Sequence, residues 1–247
     1  MWTDLVLFAV IGFAAQLVDG AIGMAYGLSA TSVLLSVGVA PAVASASVHA
    51  AEVFTTAASG LAHWRMGNAR PQLLWRLAVP GMIGGAAGAY LLTAVPGETI
   101  RPFVSLYLLA MGAMILWRAR KAHVPRTAPP RHLALLGLSG GFLDAAGGGG
   151  WGPIVTSTLI GGGTAPRFAI GLVNLAEFFV TATISTVFVA TIGLELWPAI
   201  AGLVLGGILA APFAALAAKR IPPRPMMLVV GAVIVALSLR GLARAFA

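Results

Sequence analysis

The chain has 247 residues, of which 59% are hydrophobic and only 9% are charged. Soluble domains carry about 25% charged residues, so this composition excludes a soluble globular protein. The net charge of +8 comes from Lys and Arg in short breaks between apolar runs. This distribution indicates membrane-topology signals and excludes a nucleic-acid-binding surface. The lack of cysteine excludes disulfides and thiolate metal sites.

An internal repeat divides the chain. Residues 12–57 align with 137–182 without a gap, and 18 of the 46 aligned pairs are identical. Composition alone would give about a tenth, so the match indicates a duplication. The predicted units are a first membrane repeat (1–120), a cationic linker (121–132) and a second membrane repeat (133–247).

Each half contains five apolar segments, which predicts an all-α polytopic membrane protein. The first two segments of each half are short, since a helix of about 14 residues covers only about 21 Å of a roughly 30 Å membrane core. Each half is therefore expected to be a broken or re-entrant helix pair followed by three transmembrane helices. In chain order the segments are 4–19, 23–38, 41–64, 72–94 and 100–118, then 132–145, 150–163, 166–191, 197–218 and 224–243.

Loop charges predict that the two repeats are inverted. The cationic segment 118–131 is expected to be cytoplasmic, and the loop 65–76, two crossings earlier, is also cationic. In the second half the equivalent loop, 191–197, is acidic, and positive charge follows the next segment at 219–224. Inverted repeats are common in secondary transporters, although two C-terminal arginines would then be external.

The third segment of each half carries a glutamate near the expected membrane midplane. The segment begins at Pro41 or Pro166, which suits the first helical turn, and Glu52 or Glu177 follows 11 residues later, about 16 Å along a helix. Intramembrane ionisable residues usually mark a transport pathway. The alternative is that these groups only join helices by hydrogen bonds.

Polar residues at intervals of 3 and 4 form a stripe on the third segments. Lipid cannot satisfy these groups, so the stripe is expected to face protein or a wet cavity. His63, next to Trp64 and Arg65, is expected to lie at the membrane interface. The stripe consists of Ser45, His49, Glu52, Thr56, Ser59 and His63 in the first half, and of Asn174, Glu177, Thr181 and Ser185 in the second.

Asp19 and Asp144 precede glycine-rich joints, 20–23 and 147–150. The free amides of a helix that starts at such a joint can bind an anion without a basic side chain. Alternatively, these glycines only permit close helix packing, as Gly81, Gly85 and Gly88 are expected to do. The predicted substrate-binding residues are Gly23, Thr31, Ser32, His49, Gly148, Gly149, Gly150, Thr156, Ser157 and Asn174, and the predicted coupling residues are Asp19, Glu52, Asp144 and Glu177.

Other motif matches lack the surrounding structure that their function would need. Glycines 147, 149 and 152 fit a dinucleotide-binding pattern, but no βαβ unit surrounds them, and no Walker A sequence is present. His49 and Glu52 could ligate a metal, yet the repeat places Asn174 at the histidine position. Ser59 and His63 lack a nucleophile turn. We therefore expect no cofactor, no resident metal and no enzymatic activity.

Four stretches carry a family resemblance: GFAAQLVDGAIGMAYGLSATSVLL, ASASVHAAEVFTTAASGLAHWRMGN, GGFLDAAGGGGWGPIVTSTLIGGG and GLVNLAEFFVTA. They resemble the TauE/SafE sulfite exporter family, also called the TSUP transporters, and the likeness covers essentially the whole chain. The resemblance implies a bacterial inner-membrane protein that moves sulfite, sulfoacetate, other sulfonates or other small organic anions. It fixes neither the anion nor the direction.

An anionic substrate conflicts with ionised glutamates at the same depth. The conflict is resolved if Glu52 and Glu177 bind a proton as the substrate enters, since burial and a nearby anion both disfavour the charged form. Sodium binding would serve equally well. Two further readings remain open, namely a cation carrier that uses the four buried carboxylates and an intramembrane enzyme. The expected partners are a small anion and membrane lipid, with homo-oligomer formation left open.

Overall fold

The computed structural model describes residues 2–68, 73–120, 132–220 and 222–245. Those residues fold into helices without a β-strand, as predicted. The predicted linker, 121–132, lies outside the described residues except for His132. The helices are α1 (Trp2–Ile22), α2 (Tyr26–Ser36), α3 (Pro41–Arg65), α4 (Leu74–Ala94), α5 (Gly97–Arg120), α6 (Leu133–Gly147), a π-helical turn (Gly152–Thr156), α7 (Ser157–Gly161), α8 (Pro166–Thr191), α9 (Trp197–Arg220) and α10 (Pro223–Ala245).

The first helix is longer than predicted. α1 has 21 residues, because the chain stays helical through Gly20 and breaks only at Gly23, where φ is 69°. Its repeat equivalent, α6, has 15 residues and ends before Gly148, where φ is 72°. The expectation of short segments is thus correct for α6, for the 11-residue α2 and for Gly152–Gly161, and wrong for α1.

Six helices of the described chain are long and apolar enough to cross a membrane, namely α1, α4, α5, α8, α9 and α10. α3 has 25 residues but is less apolar than these six helices because it carries the polar stripe. The stripe residues of α3 are all buried, so the stripe faces protein as predicted.

Glycines bring helices of the two halves into backbone contact. α1 packs along α9, and α4 packs along α6. The repeat relates these two pairs to each other. A Cβ on Gly88 would overlap the carbonyl oxygen of Phe142, and one on Gly206 would overlap that of Ala9. The packing role predicted for the α4 glycines is therefore confirmed at Gly88.

The repeat-equivalent helices α3 and α8 pass each other in opposite directions. Gly60, late in α3, lies against Leu175, early in α8. His49, early in α3, has its ring centroid 6.0 Å from that of Phe188, late in α8. The two helices therefore pack against each other in antiparallel directions.

Candidate functional site

The helix breaks of the two halves hydrogen-bond to each other. The hydroxyl of Thr31 on α2 donates to the carbonyl of Gly148 in the second break. The hydroxyl of Thr156 donates to the carbonyl of Gly23 in the first break, at 2.6 Å. These two bonds are equivalent under the repeat, so each half closes the break of the other. Both predicted binding threonines thus join the halves in this structure.

Close approach of the two breaks requires glycine. A Cβ on Gly149, where φ is 138°, would overlap the amide nitrogen of Leu28. A Cβ on Gly152 would lie 2.5 Å from the carbonyl oxygen of Gly23. No side chain fits at either position. Packing therefore explains part of the Gly147–Gly150 run, which is the alternative interpretation of that sequence.

Asp19 and Asp144 bind backbone amides just beyond the breaks. The Oδ1 atom of Asp19 accepts a hydrogen bond from the Tyr26 amide at 3.3 Å, and that of Asp144 accepts one from the Trp151 amide at 3.0 Å. Both carboxyl groups are buried. Amides at a helix start attract anions, and here the anion they hold is a carboxylate of the protein itself.

The second oxygen of Asp144 faces His49. The Nδ1 atom of His49 lies 2.8 Å from the Ser45 carbonyl and 3.2 Å from the Ser45 hydroxyl, and its Nε2 atom lies 3.3 Å from Oδ2 of Asp144. When Nδ1 donates to the carbonyl, a hydrogen bond between Nε2 and Oδ2 needs a further proton, held by the ring or by the carboxyl group; when Nδ1 accepts from the hydroxyl, the neutral ring donates from Nε2. Glu52 Oε2 lies 3.8 Å from the same Nε2 atom. These three side chains form a centre suited to proton binding.

The remaining carboxyl groups interact with this centre. Glu177, the repeat equivalent of Glu52, is buried on α8. The carboxyl groups of Asp19, Glu52 and Asp144 lie close enough to interact electrostatically with it. Four buried carboxyl groups cannot all carry charge without a large cost. The carboxyl group cluster (Asp19, Glu52, Asp144, Glu177) therefore needs protons or cations.

A cation could also bind where His49 meets the carboxyl group cluster. One ligand atom each from His49, Glu52 and Asp144 lies within 4.8 Å of the others. The sequence spacing showed only the His49–Glu52 pair, because Asp144 comes from the other half. This geometry keeps the cation-carrier alternative open.

Three predicted polar residues have atoms without a hydrogen-bond partner among the described residues. These atoms are Ser32 Oγ, Ser157 Oγ and Asn174 Oδ1. Buried polar atoms normally have hydrogen-bond partners, so a bound molecule or water can hydrogen-bond to these three atoms. Asn174 also donates to the Ile170 carbonyl at 3.0 Å, the counterpart of the His49 bond to Ser45.

Tyr107 of α5 is a site residue that the sequence did not reveal. Its hydroxyl has no partner among the described residues and occupies the place where Gly150 would carry a Cβ. Its ring fills the equivalent place at Gly147. A single tyrosine in an apolar helix resembles an ordinary packing residue, so only the fold shows that it covers the second break.

His63 is buried within the protein, and its expected depth at the membrane interface stays a prediction. The Nε2 atom of His63 donates to the Gly20 carbonyl at 2.8 Å, and its Nδ1 atom accepts from the Asn68 side-chain amide at 3.3 Å. Its neighbours Trp64 and Arg65 are exposed, but they lie on another face of α3.

Comparison with known proteins assigns the family. The profile of the sulfite exporter TauE/SafE family matches residues 8–241. The chain belongs to the TauE/SafE family. It is 42% identical over 249 aligned residues to the "Probable membrane transporter protein YtnM" of Bacillus subtilis (strain 168), a match that covers 96% of this chain and 82% of the relative. No solved structure matches significantly. This TauE/SafE protein is therefore a membrane transporter and not an enzyme.

Proposed function

We propose that this transporter moves a small sulfur-containing anion, such as sulfite or a sulfonate, across the bacterial cell membrane together with a proton. The substrate would bind between the halves, at the two helix breaks. The observation that carries the proposal is the contact of His49 with Asp144, where the two side chains can share a proton next to an amide that already holds the carboxylate.

An anion can be held at the breaks without a basic side chain. No lysine or arginine is among the buried residues of the described chain. The available donors are the backbone amides and the unpartnered hydroxyls of Ser32, Ser157 and Tyr107. This donor set suits an oxyanion that needs several hydrogen bonds but no fixed counter-charge.

Protonation links the carboxyl groups to the substrate. While Asp19 and Asp144 are ionised, they occupy the amides of Tyr26 and Trp151. A protonated carboxyl group is a weaker acceptor, so an entering anion can take over these amides. The entering anion in turn favours protonation of Glu52 and Glu177. Anion and proton would then move together.

Inverted repeats around this site would provide alternating access. The opposed directions of α3 and α8, and the exchange of the α1–α9 and α4–α6 contacts by the repeat, support a two-fold axis in the membrane plane. The two repeats could then exchange conformations around a fixed central site. In this arrangement the segment 118–131 lies in the cytoplasm.

A flux assay tests the proposal. Purified protein in liposomes should exchange radiolabelled sulfite faster than protein-free liposomes, which correct for uncharged sulfur dioxide that crosses lipid unaided. Unlabelled sulfonates should compete if they are also substrates. A rate equal to that of protein-free liposomes, for both sulfite and sulfoacetate, would contradict the proposal.

Cation transport is the second candidate, and the geometry of His49, Glu52 and Asp144 favours it. The same liposomes loaded with a divalent-cation indicator, or supplied with radioactive sodium, distinguish the two functions. Cation uptake without any sulfite or sulfonate exchange would establish the cation carrier. Sodium uptake that requires sulfite would instead replace the proton with sodium in the proposed mechanism.

A further inference from the structure

Near Asp19, buried polar side chains of α1 and α3 have donor and acceptor atoms without hydrogen-bond partners among the described residues. Gln16 and Ser59 are each 0% exposed, yet both amide atoms of Gln16 and the hydroxyl of Ser59 have no partner among the described residues. Both side chains flank Gly20. A Cβ on that glycine would lie 3.3 Å from Ser59 Oγ and 3.4 Å from Gln16 Nε2.

The polar row continues to one end of α3. Glu52, Thr56, Ser59 and His63 follow at intervals of 4, 3 and 4 and therefore share one helix face. Beyond Ser59, the ring of His63 connects the Gly20 carbonyl to the side chain of Asn68. Asn68 adjoins Gly67, which is exposed. Polar groups thus run from the carboxyl group cluster to the end of the helix.

In the described part of the second half the polar row ends at Ser185, whose hydroxyl also has no partner among the described residues. In the same repeat register, Gly141, Ile184 and Phe188 stand where the first half has Gln16, Ser59 and His63. Ile184 and Phe188 are both 0% exposed, and the Phe188 ring packs beside His49. Apolar side chains therefore cover the Asp144 end of the site, whereas polar ones lead away from the Asp19 end.

We propose that Gln16, Ser59 and His63 line a hydrated path that connects Asp19 with the membrane face at Asn68, and that the Asp144 end has no equivalent path. Unpartnered buried amide and hydroxyl atoms are the groups that ordered water normally satisfies. The titratable groups that face the inner end are Asp19 of α1, Glu52 of α3 and Glu177 of α8.

The path would serve proton entry, a role that rests on the proposed proton coupling. A proton from the Asn68 side adds to Nδ1 of His63, and the ring then releases the proton on Nε2 through water to the Asp19 carboxylate. The ring ends neutral in its other tautomer, and the carboxyl group gains one proton. Coupling protons would thus enter from one membrane face only.

Silver ions test the path without reference to the substrate, because they enter narrow hydrated spaces and bind thiols. The chain has no cysteine, so Ser59→Cys and its repeat equivalent Ile184→Cys each carry one thiol. We expect silver to protect Ser59→Cys from later alkylation when added at the Asn68 side only, and to leave Ile184→Cys unprotected from both sides. Equal protection of the two thiols, or none at Ser59→Cys, would overturn the path.

His63 variants test the proton role. His63→Gln keeps a donor for the Gly20 carbonyl but cannot relay a proton, and Leu61→Ala on the exposed face of α3 is the control. We expect pH-gradient-driven sulfite accumulation to fall at least about tenfold in His63→Gln, with sulfite exchange at equal pH retained. Unchanged accumulation in His63→Gln would show that His63 does not relay the proton. Absence of accumulation in the wild type would contradict the proposed coupling, while the silver result would still decide whether the path exists.

Discussion

At the scale of single residues, the site is defined by how its carboxyl groups are already engaged. Asp144 binds the Trp151 amide with one oxygen and faces His49 with the other. The sequence identified both residues as candidates, because ionisable side chains are rare in this chain. It could not place them together, since they are 95 residues apart and meet only through helix packing.

The Gly149→Ala variant tests whether the two helix breaks must be in close contact. Its φ of 138° and the overlap of any Cβ with Leu28 predict that Gly149→Ala costs about 1–3 kcal/mol at the breaks. Gly161→Ala is the matched control, because nothing lies within 4 Å of a Cβ there. We expect sulfite exchange to fall at least about tenfold in Gly149→Ala alone, with both proteins inserted normally. Wild-type exchange by Gly149→Ala would argue against a site at the breaks.

The Tyr107→Phe variant tests whether the substrate accepts a hydrogen bond from the Tyr107 hydroxyl, which lies against Gly150. A hydrogen bond to a charged group contributes about 1.5–3 kcal/mol, so Tyr107→Phe should raise the KM for sulfite about tenfold or more. Thermal stability should stay near that of the wild type, because the hydroxyl has no partner among the described residues. An unchanged KM would show that the hydroxyl does not contact the substrate.

At the scale of elements, the broken helices act as a pair and not as two separate motifs. The sequence predicted a break in each half because glycine clusters follow the aspartates. It did not predict that the hydroxyl of one half would bond the backbone of the other, since an internal repeat reveals equivalence but not contact. α1 was expected to end at Asp19 because glycine follows it, but Gly20 stays helical and packs closely against Ala214.

The paired bonds at the breaks predict a shared loss of stability. Thr31→Val and Thr156→Val keep the side-chain shape but leave the carbonyls of Gly148 and Gly23 without their donors, at a cost of about 1–3 kcal/mol each. Thr186→Val is the control, because its bond stays within α8 at an exposed position. Thermal unfolding in detergent should show a lower Tm for the first two variants than for the control. Equal Tm values in all three variants would show that the hydrogen bonds between the two breaks do not stabilise the fold.

At the scale of the whole molecule, the repeat organises both the packing and the asymmetry of the site. Sequence self-similarity predicted two equivalent halves with similar helices, and composition predicted their membrane setting. The departures from symmetry, such as His49 opposite Asn174, were visible in the alignment. Their meaning was not, because the environment of each residue depends on which helix of the other half covers it.

Inverted orientation predicts opposite sides for equivalent loops. Single cysteines at Gly67 and Gly193, in the turns after α3 and α8, should react with a membrane-impermeant thiol reagent from opposite faces of sealed vesicles. Both glycines have open space for a side chain. Labelling of both cysteines from the same face would rule out inverted repeats.

Proton coupling by the buried glutamates is tested most directly by pH-gradient-driven accumulation of sulfite in liposomes that contain wild type, Glu52→Gln or Glu177→Gln. Glutamine keeps the size and hydrogen bonding of glutamate but cannot titrate. We expect wild type to concentrate sulfite, at least one variant to lose this accumulation, and the same variant still to exchange sulfite at equal pH. Accumulation by both variants at the wild-type level would contradict the claim that these buried carboxyl groups carry the coupling proton.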